Sequence, residues 1–233
     1  MTVGAAENLI QTAAMRTPSY TREKQLACRN CAPVCGIDEA GRGPLAGPVV
    51  AAAVILHDKR RPRGIRDSKM LTPEAREDLY HRIMASAAVG IGIADVERID
   101  RDNILRASLW AMTQAVKALG STPAFALVDG NMLPELDCPG EAIIDGDALC
   151  VSIAAASIMA KVTRDRIMRE LASEYPVYGF EHHKGYCTEI HLAALKDHGP
   201  TPHHRRSFAP VAEWQTLTIV EELDSRNVAD DSP

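Results

Sequence analysis

Short apolar runs separated by polar, turn-rich stretches lay out most of this chain. Pro33 to Asp38 is a brief apolar run ending on two adjacent carboxylates, Asp38 and Glu39, and Ala46 to Leu56 is rich in valine and alanine, as a buried strand would be. The two read as a hairpin. Its connection holds Gly41, Arg42, Gly43, Pro44 and Gly47, a glycine density that permits positive φ and lets a ligand approach main-chain N–H groups without Cβ interference. Thr72-Pro73-Glu74 then opens a helix with an N-cap, a proline at the first helical position and an early acid, and Leu79, Ile83 and Ala87 supply its buried face. Val89 to Val96 reads as a third strand. Asp102 stands where a cap is needed for the next helix, on which Ile104, Leu105, Leu109, Met112, Val116 and Leu119 recur at spacings of three and four before Gly120 closes it. That stripe is core.

Two further apolar runs, Ala124 to Val128 and Ala142 to Ile144, end at Asp129-Gly130-Asn131 and Asp145-Gly146-Asp147. A helix follows, with Ile153, Ala156, Ala160, Thr163, Ile167 and Leu171 on one face, Pro176 beyond its end, and small residues Ala154 to Ser157 that let it lie close to a sheet. Strands alternating with helices predict an α/β fold with parallel pairing, and ligands gather at the carboxyl ends of such strands. Beyond Pro176, the histidine-rich pieces Phe180 to Tyr186 and Glu189 to His198 read as a small helical cap over that end.

Composition refines this picture. With 233 residues and 46% hydrophobic content there is material for one substantial core. The organisation expected is an N-terminal extension over 1–32, a catalytic core over 33–175, the cap over 176–211 and an acidic tail over 212–233. No apolar run of about 18 residues appears and the start lacks a secretory layout, so a cytoplasmic protein without a membrane span is expected. The six cysteines are too sparse for a disulfide framework, and Cys28-Arg29-Asn30-Cys31 has zinc-type spacing without a second pair, so reduced thiols are the expectation. The net charge of −5 is misleading, because from Glu213 onward six acids stand against Arg226 alone, a net of −5 that leaves the rest neutral. Within that neutral body Lys59 to Arg66 holds five bases and His203 to Arg206 sets two histidines beside two arginines. Such clusters can track phosphates.

Adjacent acids beside an apolar strand repel one another and lose hydration, a cost that a divalent cation removes. Because successive strand side chains point to opposite faces, Asp38 and Glu39 share one ion only if the strand ends or bulges at Glu39. A solvated strand end with an ordinary turn accounts equally well for the pair by itself. The wider pattern is more specific. With GIDEAGRGPLAGPVV at 36–50, LVDGN at 127–131, GD at 146–147, SIAAASIMAKVTRDRIM at 152–168, YGFEHHKGY at 178–186 and HHRRSF at 203–208, in order over about residues 34–211, the chain resembles bacterial ribonuclease HII.

The resemblance implies a ribonuclease H-like mixed five-stranded sheet flanked by helices, with a small C-terminal helical cap. It implies Asp38, Glu39, Asp129 and Asp147 as catalytic metal ligands for two Mg²⁺ or Mn²⁺ ions about 4 Å apart. The implied reaction is hydrolysis of the phosphodiester 5′ to a ribonucleotide, in RNA–DNA hybrids and at ribonucleotides embedded in duplex DNA, leaving 3′-hydroxyl and 5′-phosphate ends, as part of ribonucleotide removal and RNA degradation during replication and repair. It further implies that Gly41, Arg42 and Gly43 offer main-chain groups to the 2′-hydroxyl while Tyr186 packs on the adjoining sugar, with Lys69 and Lys184 as further substrate-binding candidates in a monomeric enzyme. One departure stands out: the family usually has lysine where this chain has Asp145, which crowds the site or turns to solvent and bears on which aspartate is the fourth ligand. Asp147 keeps the spacing to SIAAAS. The alternatives are another metal-dependent nuclease or recombinase on the same fold, and a non-catalytic hybrid-binding module. Gln215 to Val220 has a faint likeness to a sliding-clamp-binding peptide.

Overall fold

The structure is a computed structural model that describes residues 17–214 and Thr216. Helix α1 (Thr21–Cys28) precedes the hairpin of β1 (Val34–Ala40) and β2 (Val49–Ile55). Next come α2 (Pro73–Ser86), β3 (Ala88–Ala94), α3 (Val96–Asp102), α4 (Ile104–Lys117), β4 (Phe125–Asp129) and β5 (Gly140–Ile143). The short α5 (Gly146–Leu149), the long α6 (Val151–Glu174), α7 (Phe180–His183) and α8 (Glu189–His198) follow. The strands form one mixed sheet in the order β3-β2-β1-β4-β5. Antiparallel pairing joins β1 to β2 and, against the expectation for strands separated by a helix, β2 to β3; β1, β4 and β5 run parallel, although no helix separates β4 from β5. Among the described residues no helix is long and apolar enough to cross a membrane.

Side-chain alternation along the central strands divides the core into two layers. Cys35 and Ile37 of β1, with Ala51 and Ala53 of β2, pack with Ala107, Ala111 and Ala115 of α4, while Ala52 and Val54 pack with the small face of α6 and with Leu79 and Ile83 of α2. Small residues bring both helices close: a Cβ on Gly36 would lie 2.1 Å from the Ser152 carbonyl carbon, and one on Gly90 or Gly92 would lie 2.0 Å from the Ala115 or Ala111 oxygen. Thr72 caps α2 as its sequence predicts, its hydroxyl accepting from Ala75 N at 3.3 Å. The cap expected at Asp102 belongs to Asn103, whose side chain accepts from the Leu105 and Arg106 N–H groups. Asp102 instead ends α3, an element its sequence did not announce, and pairs with Arg98 and Arg101.

Part of the segment expected as an N-terminal extension packs on the core. Glu23, 2% exposed, accepts from both the main-chain N–H (2.9 Å) and the hydroxyl (2.7 Å) of Ser152 in the first turn of α6. No side chain of the adjoining Cys150 caps that helix, so a carboxylate 129 residues away supplies the missing acceptor and complements the helix dipole. Residues 1–16 lie outside the described residues, as do 217–233 of the acidic tail and, apart from Thr216, the 215–220 segment likened to a clamp-binding peptide.

The segments after Pro176 pack around Tyr178, Phe180 and a buried pair of imidazoles. His204 Nδ1 accepts from Thr201 N (2.9 Å), so its other nitrogen donates to His191 Nε2 (2.9 Å), and His191 Nδ1–H donates to the Tyr186 carbonyl (2.9 Å). Burial, then the neighbouring His191, pushes His204 down to about 3, and burial also lowers His191. Above the ordinary histidine value both rings are neutral folded or unfolded, and the relay is intact. Below it, the unfolded chain binds protons that the folded chain does not, so stability falls with pH until the folded value is reached, by up to about 1.4 kcal/mol per pH unit for each ring. A His204→Asn variant is therefore expected to be less stable at pH 7.5 but to lose less on acidification to pH 5, measured as denaturant midpoints. Equal losses in parent and variant would show that the relay tolerates a proton.

Candidate active site

The catalytic candidates meet where parallel pairing stops. The β1–β4 ladder ends at Ile37↔Val128, so the β4 side of Asp38, Glu39 and Ala40 is left open, and a cleft of about 340 Å³ forms there. Contrary to the condition set for a shared ion, β1 neither ends nor bulges at Glu39: the ladder to β2 continues through Asp38↔Ala52, Glu39↔Ala51 and Ala40↔Val50. Both side chains nevertheless line the cleft, with Asp129 from the end of β4.

Electrostatics in the cleft are those of crowded acids. Burial, then the charges of Glu39 and Asp129, pushes Asp38 well above the usual carboxylate range, although its Oδ1 accepts from Glu39 N at 2.7 Å. Glu39 is also raised by burial, against the opposing pull of Arg42 at 3.3 Å. Asp129 Oδ1 accepts from Gly146 N at 2.7 Å, which ties the end of β4 to the first turn of α5. On that turn Asp147, 7% exposed, stands 3.5 Å from Lys69 Nζ and is raised by burial, then by Asp67.

Asp145 is placed otherwise. Strand β5 stops at Ile143, and of the two expected placements Asp145 takes the solvent one: it sits exposed in left-handed backbone (φ 55°) before α5. Lys69 joins the cleft, but Lys184 does not. The Lys184 amine donates to the Glu181 carbonyl, and its own carbonyl accepts from Arg164 at 3.0 Å.

The glycine-rich loop forms the facing wall. Gly41 has φ +96°, and a Cβ there would lie 1.9 Å from Arg164 Nε, so no other residue fits. At Gly43 a Cβ would meet only Tyr186 Cε1, at 3.6 Å, which places the ring beside the loop. Sequence reasoning did not assign to the site Ser68 and Ser157, whose hydroxyls lie 2.8 Å apart at the cleft, nor Lys161 and Arg164 in its wall. The strings that carry the family resemblance contain all of these but Ser68, which belongs to Asp67-Ser68-Lys69. The clusters read as phosphate trackers divide: Lys59, Arg60, Arg63 and Arg66 are exposed, but His204 and Arg205 are buried and face the protein interior.

Glu39 Oε2 is buried without a hydrogen-bond partner among the described residues, and all four acids offer oxygen, the donor that Mg²⁺ and Mn²⁺ take. Among the described residues no three acidic, histidine or cysteine side chains converge tightly enough to enclose an ion. Asp38, Glu39 and Asp129 line the cleft, while Asp147 is outside its lining and reaches it through Lys69, an arrangement suited to ions whose remaining ligands are water and phosphate oxygens.

A five-stranded mixed sheet in this order, with acids at the carboxyl ends of its parallel strands, defines a ribonuclease H-like nuclease. The family model for ribonuclease HII matches residues 35–211. A ribonuclease HII of Xanthobacter autotrophicus is 60% identical over 196 residues, 84% of this chain and 79% of that protein. The ribonuclease H2 structure from Pyrococcus horikoshii superposes with a TM-score of 0.68 at 27% identity, covering 79% of this chain and 97% of that one. A structure of a PCNA:RNase HII complex from Archaeoglobus fulgidus matches with a TM-score of 0.66 at 26% identity, covering 75% and 94%. The chain belongs to the ribonuclease HII family.

Proposed function

We propose that this cleft hydrolyses the phosphodiester 5′ to a ribonucleotide, in RNA–DNA hybrids and at single ribonucleotides within duplex DNA, leaving 3′-hydroxyl and 5′-phosphate ends. The observation that carries the reading is the placement of Asp38, Glu39 and Asp129 in the same cleft as the Gly41–Gly43 loop and Tyr186. Asp38, Glu39, Asp129 and Asp147 would hold two divalent ions, Mg²⁺ or Mn²⁺, which when bound supply an activated water and charge stabilisation at the leaving oxygen. The orphaned Glu39 Oε2 and the raised Asp38 are both relieved by such a positive charge. Lys69 balances Asp147 at the rim, where it can meet a substrate phosphate. Asp145 is not a ligand.

Telling a ribonucleotide from its deoxy neighbours requires a donor and acceptor for the 2′-hydroxyl. Main-chain groups of the loop supply them, and the Tyr186 ring beside Gly43 packs on the adjoining sugar. In this reading the enzyme acts as a monomer in the cytoplasm. A sliding clamp is the candidate partner for the 215–220 segment, by analogy with the Archaeoglobus PCNA:RNase HII complex.

The decisive experiment incubates the protein with Mg²⁺ or Mn²⁺ and a duplex carrying one ribonucleotide, then maps the ends. A single cut 5′ to the ribonucleotide is expected; cutting of all-DNA duplex would point to another nuclease or recombinase activity, and binding without cutting to a hybrid-binding module. Tyr186→Ala is expected to lose roughly 10- to 100-fold more activity on the single-ribonucleotide duplex than on a continuous hybrid, where every step offers a 2′-hydroxyl. Parental cleavage of the single-ribonucleotide duplex by that variant would remove Tyr186 from the site.

A further inference from the structure

Two arginines lie inside the protein without a carboxylate in ion-pair contact among the described residues. Arg164 on α6 and Arg205 after α8 are 1% and 0% exposed, and neither guanidinium has a carboxylate within ion-pair distance among the described residues. Their donors go to main-chain oxygens. Arg164 donates to Pro48 O (2.9 Å), Ala46 O (3.0 Å) and Lys184 O (3.0 Å), whereas Arg205 donates to Gly41 O, Arg42 O (2.7 Å) and Gly47 O (3.0 and 2.8 Å).

A buried guanidinium without a carboxylate in contact is expensive, and packing alone would be served as well by an apolar side chain. The cost is visible: burial lowers Arg164 to about 10 and Arg205 to about 9. What the arginines obtain in return is specific. In a planar trans peptide the C=O of one residue points opposite to the N–H of the next. With the Gly41 and Arg42 carbonyls turned onto Arg205, the N–H groups of Arg42 and Gly43 must point away from it, and neither has an acceptor among the described residues. Arg164 does something different, because its three acceptors come from two segments. Two belong to the hairpin connection, and the third, Lys184, lies two residues before Tyr186. One guanidinium thus spans the loop and the segment carrying the ring, beside a direct bond from Leu45 N to Gly185 O at 2.8 Å.

We infer that Arg164 and Arg205 are positioning residues for ribonucleotide recognition: Arg205 sets which way the loop's peptide groups face, and Arg164 sets the distance between that loop and Tyr186. The inference rests on the reading of loop and ring given above. Lysine keeps the charge at either position but has no planar fork to hold three carbonyls at once.

The test compares the full-length parent with Arg205→Lys, Arg164→Lys, Tyr186→Ala and the double variant Arg164→Lys/Tyr186→Ala, on a single-ribonucleotide duplex and on a continuous hybrid. Arg205→Lys should lose about 100-fold in kcat on both substrates with KM little changed, since every cut uses the loop. Arg164→Lys should shift the ratio of the two activities in the same direction as Tyr186→Ala, and the double variant should shift it no further than Tyr186→Ala alone. Parental kcat in Arg205→Lys overturns its part. A ratio moved by Tyr186→Ala but not by Arg164→Lys overturns the bridge. If Tyr186→Ala itself leaves the ratio unmoved, the reading of the ring has failed and Arg164's part falls with it, while the Arg205 arm still decides the loop. Variants must melt cooperatively above the assay temperature; where a lysine variant does not, the glutamine variant takes its place, and if neither folds the arginine belongs to the fold and the positioning role is overturned.

Discussion

Asp38→Asn, Glu39→Gln and Asp129→Asn are each expected to reduce cleavage of a single-ribonucleotide duplex by roughly 10³-fold or more, while the metal-free variants of Asp38 and Glu39 melt no lower than the parent at pH 8. Loss of one ligand charge removes several kcal/mol of transition-state stabilisation, and each 1.36 kcal/mol is about tenfold in rate. The stability half of the expectation follows from the environment. Asp38 and Glu39 are raised in the folded protein, the first by burial and its acidic neighbours, the second mainly by burial. A carboxyl raised by folding weakens the native state once pH exceeds its unfolded value, and the penalty fades as pH falls through the folded value. The neutral variants escape that penalty at pH 8, and their advantage should vanish near pH 4. Asparagine at 38 or 129 can still accept the bond from Glu39 N or Gly146 N, so the local geometry is kept. Near-parental cleavage by Asp129→Asn would refute the two-metal assignment. Asp147→Ala should be as damaged as the others, and Asp145→Ala nearly as active as the parent, because Asp145 is exposed beyond the end of β5.

Much of this site is legible along the chain because its parts lie at the ends of apolar runs. Val34 to Asp38, Phe125 to Asp129 and the turn after Ile143 each join an apolar run to an acid; the runs mark the strand ends, and the resemblance to the family is what reads those acids as ligands. Local signals also found the cap at Thr72 and the crowded helix face at Ala154 to Ser157. What could not be read are partnerships across long sequence separations. Glu23 capping α6 links residues 129 positions apart, and nothing near Thr21 announces it. Arg205 shows the same blindness in another form: in HHRRSF it resembles its neighbour Arg206, yet one is buried on main-chain oxygens and the other exposed. Charge composition cannot separate them, since the difference is made by the carbonyls that a distant loop turns inward. Asn103 displaced Asp102 as a cap for a local reason, an unforeseen helix α3 that absorbs Asp102 as its last residue.

The glycines that let helices approach the sheet carry the largest expected effect on stability, and Gly36→Ala is the sharpest case. Gly36 lies on β1 between Cys35 and Ile37, and the added Cβ would stand 2.1 Å from Ser152 C, 2.3 Å from Ile153 N and 2.4 Å from Ser152 O. All three are backbone atoms at the start of α6, so no side chain can rotate away and the helix itself must move. Overpacking of this kind costs about 3 kcal/mol or more, which for a domain near this size lowers Tm by roughly 6–12 °C. The effect should reach the active site, because Asp38 is two residues further along the same face of β1 and Ser157 of α6 lines the cleft. Cleavage measured well below the lowered melting temperature is therefore expected to fall as well. Gly64→Ala makes the control: its φ of +88° imposes backbone strain, but a Cβ there meets nothing within 4 Å, so it should cost only about 1 kcal/mol and leave cleavage unchanged. If Gly36→Ala melts within a degree or two of the parent, α6 does not rest on the bare backbone of β1, and the account of how the sheet holds Asp38 against that helix is wrong.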